Sequence, residues 1–468
     1  MTKKNTSLSV IIWLGIFAWP SALLAQTLQD TLKRIDSIFV SFNDQTPGAS
    51  LTISRGGKVL YQKAFGMADL EHQVPARPET IFEAGSVSKQ LTATSVLMLI
   101  KAGKVGLDDD VRKFIPELPV YSKTIKVRHL LNHTSGLKDW GVIAGIGGWP
   151  RGSRVYTNDR ALEYITKQTT LNHTPGEEYI YSNSNYTLLT FIAERVSGEK
   201  LDEFTRKNIF EPLKMKHTLW RDDFKAIVKD RAIGYDQSSG KYVTDMPFEN
   251  TYGHAALLTT SCDLDIWNAS WRNSPLGGAE LLKLRTEQGI LNNGEKISYA
   301  GGVMIDNYNG HPSVTHSGAT AGYRAWLAYY PKEDLSVAYL SNHGVFSTSG
   351  VGNSVAKIFF GERRAVAAPQ PKKISSYKPD LTSLNKLAGY YYSEECGGEY
   401  TVTVVKGTIQ LSRKHSSSIL LKPVSANKFI YGTQSEYEFK VDAKGNAELL
   451  VSVPRARNVL FKKVSVQK

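Results

Sequence analysis

Cysteine is nearly absent: Cys262 and Cys396 are the two in 468 residues. So few excludes a disulfide framework, even in a compartment that would permit one. No CxxC, no HExxH and no clustered His/Cys set occurs, so no zinc site and no cofactor is expected. No internal repeat and no low-complexity array interrupts a composition that is 41% apolar and 22% charged, which is that of a folded protein. Long single-sign charge blocks are also missing. Lys and Arg exceed Asp and Glu by 57 to 44, a net +13, but runs such as Arg363-Arg364 and Lys372-Lys373 are short. A scattered excess of this kind reads as a solvated basic surface. It leaves room for an anionic cell-envelope polymer as partner, and carries no nucleic-acid reader motif.

Apolar runs long enough to cross a bilayer are absent after residue 25. Before it, Lys3 and Lys4 precede an apolar stretch from about Leu8 to Leu24, with Ala25 as a cleavage point before Gln26. This is the pattern of a signal peptide, 1–25, and predicts a periplasmic or secreted mature chain without a membrane span. An uncleaved anchor is the alternative; Pro20 and the short length count against it. No cysteine follows the cleavage point, which argues against lipid attachment there.

What remains is too long for one ordinary domain. An amphipathic helix is expected from about Thr27 to Phe42, then a hairpin of Ala49–Ser54 and Val59–Phe65 around Arg55-Gly56-Gly57-Lys58. A helix over Ser86–Ala102 ends at Gly103. The middle, to about Arg285, mixes helices and loops. Thr260-Ser261-Cys262-Asp263 resembles a capping box, and the glycine-rich 141–156 segment reads as a mobile loop rather than a phosphate loop. Strands return at Tyr299–Met304, Ser313–His316, Ala325–Tyr330 and Leu335–Ser341, and a helix at Ser349–Phe360 closes the unit. Strands at both ends with helices between predict an α/β fold with one mixed sheet, spanning 26–362. An Ala/Pro/Lys-rich linker at 363–379 follows, and then, over 380–468, short strands alone: a small β-barrel or sandwich.

The chemistry starts from Ser-x-x-Lys, which occurs nine times; the copies other than Ser86-Val87-Ser88-Lys89 begin at Ser135, Ser197, Ser238, Ser354, Ser375, Ser383, Ser425 and Ser465. Ser86 is set apart because Ala84-Gly85 precede it and a strong helix follows. A serine at a helix N-terminus keeps its own N–H free for a developing oxyanion, and Lys89, one turn on, can reach its hydroxyl. An ordinary helix cap is the plain alternative. A lysine acts as base when burial or a nearby cation lowers its pKa. Tyr181-Ser182-Asn183, between Pro175-Gly176 and a helix, supplies a phenol for a proton relay and an amide for the substrate. Tyr156-Thr157-Asn158 is a rival without that setting. His316-Ser317-Gly318 at a strand end is the third element: a small residue and a glycine admit a substrate, Ala319 N–H is a second oxyanion donor, and His316 brings partial positive charge. Cys262, in the first turn of a helix, reads as incidental.

In this order, Ser86-x-x-Lys89, Tyr181-x-Asn183 and His316-Ser317-Gly318 resemble the three motifs of the serine β-lactamase and penicillin-recognising enzyme family. Tyr-x-Asn in place of Ser-Asp-Asn marks its class C β-lactamase and DD-peptidase branch. Leu130-Leu131-Asn132-His133-Thr134-Ser135-Gly136-Leu137 resembles a family hallmark outside the active site, and Gly322-Tyr323 after His316-Ser317-Gly318 fits too. The similarity spans about Pro47 to Gly361; residues from about 383 resemble the lipocalin-like domains that follow such hydrolases. The resemblance implies acylation of Ser86, general-base work shared by Lys89 and Tyr181, and leaving-group protonation by Tyr181. It implies an oxyanion hole of the Ser86 and Ala319 N–H groups, and a substrate carboxylate on Ser317. Class C β-lactamases carry lysine where His316 stands; histidine is more like the DD-peptidases, D-aminopeptidases and esterases. Three functions follow: a hydrolase of a small peptide, D-amino-acid amide or ester; a β-lactamase; or a silent envelope-binding protein, which would have no chemical need for the intact motif set.

Overall fold

A computed structural model describes residues 19–362, 377–443 and 445–465, with side chains from residue 29 onward except that of residue 273. The expected leader and linker fall chiefly outside those residues. Among the described residues, no helix is long and apolar enough to cross a membrane.

Six strands build the first sheet: β1 (Ala49–Arg55), β2 (Lys58–Phe65), β3 (Met304–Tyr308), β4 (His311–Thr320), β5 (Tyr323–Tyr330) and β6 (Leu335–Ser341), in the order β3-β4-β5-β6-β1-β2. The two ends of the sequence meet where Ala49 pairs with Ser341 and Arg55 with Leu335; all the pairings are antiparallel. Strand β1 shows why helices lie on both faces. Successive side chains point opposite ways, and here Ala49, Leu51 and Ile53 enter an apolar core with Ile35 of helix α1 (Trp19–Ile38), Phe39 just after it, and Val351 and Val355 of helix α6 (Thr348–Phe360). The alternate residues carry hydroxyls. Ser50 and Thr52 each bond the hydroxyl of Ser261 at 2.8 Å, at the start of helix α5 (Ser261–Asn273). Thr260 caps that helix through the Asp263 N–H at 3.1 Å. The reciprocal arm of a capping box is replaced, because Asp263 accepts from His217 N and Thr218 Oγ1 instead.

Between β2 and β3 lies the helical region. Its centre is α2 (Lys89–Lys101) packed on α4 (Asn183–Ser197), both buried nearly all round. A helix with no solvated face must be placed by tertiary packing, so its first residues are held as firmly as a core.

The all-β unit carries nine strands: β7 (Gly389–Ser393), β8 (Gly398–Val405), β9 (Thr408–Arg413), β10 (Ser416–Leu420), β11 (Lys422–Pro423), β12 (Lys428–Tyr431), β13 (Ser435–Val441), β14 (Ala447–Val453) and β15 (Ala456–Val464). They run β10-β9-β8-β7-β15-β14-β13-β12-β11. The far edge curls back, since Leu421 donates to Ile409 O at 2.9 Å, so the barrel is nearly closed. Strand β7 is Gly-Tyr-Tyr-Tyr-Ser, in which buried Tyr391 alternates with exposed Tyr390 and Tyr392.

The β-unit is seated on the α/β unit. Helix α3 (Trp140–Ile146) and the turn after it, expected to be a mobile loop, are pinned there. Arg413 donates to Gly145 O at 2.9 Å, and a Cβ on Gly147 would stand 2.7 Å from Cys396 O. Lys138, the lysine of a rival Ser-x-x-Lys, is fully buried and bonded to Glu395 of the β-unit at 2.6 Å. Burial lowers the Lys138 pKa and raises that of Glu395, so each charge depends on the other. Glu395→Ala is expected to destabilise the seated arrangement by about 3–5 kcal/mol, because it leaves a buried charge unpaired. The check is a downward shift of the first melting transition, partly restored in the Lys138→Met, Glu395→Leu double variant.

Candidate active site

The three motifs converge on one cleft of about 430 Å³, lined by Ser86, Tyr181, Asn183, His316, Ser317 and Ala319 among others. Ser86 does not lie in the α-helix proper. It sits in a 3-10 turn, Gly85–Ser88, that leads into α2, so Lys89 is the first residue of the helix. The Ser86 N–H makes no hydrogen bond among the described residues.

Strand geometry brings the third motif to it. β3 stops pairing with β4 at Met304–Thr315, whereas β4 continues along β5 to Thr320–Tyr323. Residues 316–320 therefore present a free edge, and the Ser86 turn packs there. Two glycines allow the approach. Gly85 has φ +50° and a Cβ on it would stand 2.6 Å from Ala319 N; a Cβ on Gly318 would stand 2.0 Å from Ala84 O. Backbone thus meets backbone, and the Ser86 and Ala319 N–H groups are brought to one end of the cleft.

Lys89 is completely buried. Its Nζ lies 2.9 Å from Asn183 Oδ1, 2.6 Å from His254 O and 3.2 Å from Ser86 Oγ. Burial drives its pKa well below the usual lysine value; Asp139 opposes this, and Arg151 and Arg455 add to it. A neutral amine has two N–H donors and one lone pair. When Lys89 is neutral, the two carbonyl oxygens take its donors and the lone pair is left for the Ser86 hydroxyl.

Tyr181 lies across the Lys89 amine, with Nζ 4.9 Å from its ring centroid. Its buried hydroxyl has no well-formed partner within the protein. Burial raises its pKa, against the opposing influence of Ser86 and Arg455. A phenol held protonated suits proton donation better than shared base work. His133 stacks behind it at 4.3 Å between centroids and accepts from Ser182 N at 3.2 Å, so the hallmark segment directly supports the site.

His316 departs from expectation. Its Nδ1–H donates to Ser317 O at 2.6 Å, and Nε2, then an acceptor, receives Tyr299 Oη–H at 3.0 Å. Burial and the nearby Lys89 lower its pKa to about 4. At neutral pH it is an uncharged, oriented ring, and brings no partial positive charge to Tyr181. Ser317 is exposed at the cleft mouth.

Rival residues are placed elsewhere. Tyr156 is buried against Trp140 and donates to Trp149 O, while Asn158 accepts Tyr252 N–H at 3.1 Å. Burial raises the Cys262 pKa, the opposite of activation; Cys262 and Cys396 are both free thiols. Among the cleft-lining residues that the sequence patterns missed are His254, Tyr299, Arg455 and Arg151, the last paired with Glu249. None lies in a local motif.

A serine beside a buried lysine of lowered pKa, a phenol without a well-formed partner and the Ser86 and Ala319 backbone in close approach form one cluster. The Beta-lactamase family model matches residues 27–356, and the chain belongs to that family. It is 29% identical over 324 residues to Protein flp of Staphylococcus aureus (strain MW2), covering 67% of this chain and 63% of that protein's length. Penicillin-binding protein 4* of Bacillus subtilis (strain 168) is 26% identical over 437 residues, 88% of this chain and 94% of the relative. Among solved structures, the octameric penicillin-binding protein homologue from Pyrococcus abyssi superposes with a TM-score of 0.61 and 25% identity. That match covers 94% of this chain and 100% of the homologue, so it includes the β-unit.

Proposed function

We propose that the protein is an exported hydrolase that forms an acyl-enzyme on Ser86 and cleaves a small peptide, D-amino-acid amide or ester. The observation that carries this is the three-way contact of Lys89 Nζ with Asn183 Oδ1, His254 O and Ser86 Oγ. Lys89 takes the Ser86 proton as Oγ attacks the acyl carbon. The Ser86 and Ala319 N–H groups hold the oxyanion, Tyr181 protonates the leaving nitrogen or oxygen as the tetrahedral adduct collapses, and the proton taken up by Lys89 passes back to the Tyr181 oxygen, which restores the neutral amine and the phenol. Water then repeats the attack and releases the acid. Asn183 serves as ligand of Lys89 and as amide donor to the substrate, and Ser317 and Gly318 line the strand edge along which it lies. The leader-like residues 1–25 support export.

A neutral His316 in place of lysine favours peptide, amide or ester cleavage over β-lactam hydrolysis. The test is a turnover panel of nitrocefin, p-nitrophenyl acetate, D-alanine p-nitroanilide and a D-Ala-D-Ala peptide. The account expects an ester or D-amino-acid substrate to exceed nitrocefin in kcat/KM, and Ser86→Ala to abolish turnover. Nitrocefin outpacing all the others assigns the β-lactamase activity instead, and turnover surviving Ser86→Ala overturns the mechanism.

A further inference from the structure

The β-unit reaches the catalytic cleft through one turn. Between β14 and β15, Val453 pairs with Ala456, so Pro454-Arg455 form a two-residue tip. That tip is tied down from several sides. Asp139 N and Asn172 Nδ2 both donate to Arg455 O, at 3.0 and 3.2 Å. Arg457 N donates to Asn172 Oδ1 at 2.7 Å, and its guanidinium pairs with Glu178 at 3.0 Å. Asp139 in turn accepts the Asn183 N–H at 2.8 Å. The tip is thus fixed relative to the first residue of α4, which itself holds Lys89.

The Arg455 side chain projects into the cleft, with Cζ 4.9 Å from the centroid of the Tyr181 ring. It has no carboxylate partner among the described residues, and it is exposed. The other guanidinium lining the cleft, Arg151, is neutralised by Glu249. An unpaired guanidinium carried on a fixed turn into the cleft that holds Ser86 is a ready receptor for a planar oxyanion, because its fork matches a carboxylate in two parallel hydrogen bonds. Its side of the cleft is set by Tyr181, the residue that protonates the departing atom.

We infer that Arg455 is a specificity residue contributed by the β-unit, which binds a free carboxylate on the leaving group and so selects substrates whose departing part is an amino acid or other carboxylate-bearing fragment. This rests on the acyl-enzyme reading above. It gives the carboxylate a charged partner, where the resemblance offered it the neutral hydroxyl of Ser317. Arg455 also helps to lower the Lys89 pKa, so the same residue couples the docked β-unit to the strength of the base.

The test uses the full chain and a matched pair of substrates, an N-acyl dipeptide with a free C-terminal carboxylate and its C-terminal amide. Wild type is expected to prefer the acid in kcat/KM. Arg455→Met is expected to lower kcat/KM for the acid by about 10- to 150-fold, the range for loss of a charged hydrogen-bonding partner, and to erase the preference. Arg455→Lys retains part of it. In Arg455→Met the acid limb of the pH profile moves to higher pH. Labelling of Ser86 by a fluorophosphonate, which carries no carboxylate, reports that the variant still has a folded site. An acid-to-amide ratio unchanged in Arg455→Met, or a wild type that prefers the amide, overturns the inference and leaves the acyl-enzyme reading standing. Failure of wild type to be labelled or to turn over either substrate counts against that reading itself.

Discussion

Lys89→Met is expected to lower kcat/KM by about 10²- to 10⁴-fold, the usual worth of a positioned general base. That loss corresponds to roughly 2.7–5.4 kcal/mol on the barrier. Methionine keeps most of the buried volume, so the core around α2 and α4 stays filled. The substitution leaves Asn183 Oδ1 and His254 O without the donor that now lies at 2.9 and 2.6 Å, and removes the desolvation cost of the amine. These two effects oppose one another, so activity should collapse while the melting temperature moves little. The pH profile checks the same group. Lys89 has a pKa below its ordinary value, so it is a neutral base above that pKa, and activity is lost as pH falls through it. His316, at about 4, is already neutral and does not set this limb. Kinetics of an ester substrate across pH should therefore show an acid limb that persists in His316→Asn. A limb that vanishes in that variant would return the pH dependence to His316.

Gly318→Ala is expected to reduce kcat by about 10²- to 10³-fold, the range for loss of one oxyanion donor. The added Cβ would stand 2.0 Å from Ala84 O, 3.0 Å from Ala84 C and 3.2 Å from Ala325 Cβ. These are backbone atoms and a packed strand neighbour, so no flexible side chain can yield. The edge of β4 must move away from the Ser86 turn, and Ala319 N–H moves with it. Overpacking of this kind also costs about 1–3 kcal/mol of stability. The discriminating readout is the division between parameters: kcat falls far more than KM rises, because the oxyanion forms after the substrate is bound. An unchanged kcat would place the oxyanion donors elsewhere.

The convergence of the three motifs was legible in the sequence because each is a short contiguous stretch whose neighbours fix its local structure. Gly85 before Ser86, the helix after it, and the small residues after His316 can each be read within a few positions. The α/β sheet was legible for a similar reason, since the alternation of Ala49, Leu51 and Ile53 with Ser50, Thr52 and Ser54 marks a strand covered on both faces. Charge states were not. His316 reads as a bearer of partial positive charge, and its low pKa follows from burial beside Lys89, which no neighbouring residue announces. The pinned turn after α3 was hidden too, because its glycines serve the close approach of Cys396 and Lys414 from the β-unit, not mobility. Arg455 is the plainest case. Its role arises from the docking of one unit on another, through Asp139, Asn172 and Glu178, and a Pro-Arg turn between two strands carries no local sign of it.

Fluorophosphonate labelling followed by intact-protein mass spectrometry and peptide mapping tests the central assignment most directly. The account predicts one adduct, on Ser86, absent in Ser86→Ala and formed much more slowly in Lys89→Met. An adduct on another serine, or none while esters or amides are still being hydrolysed, would contradict it.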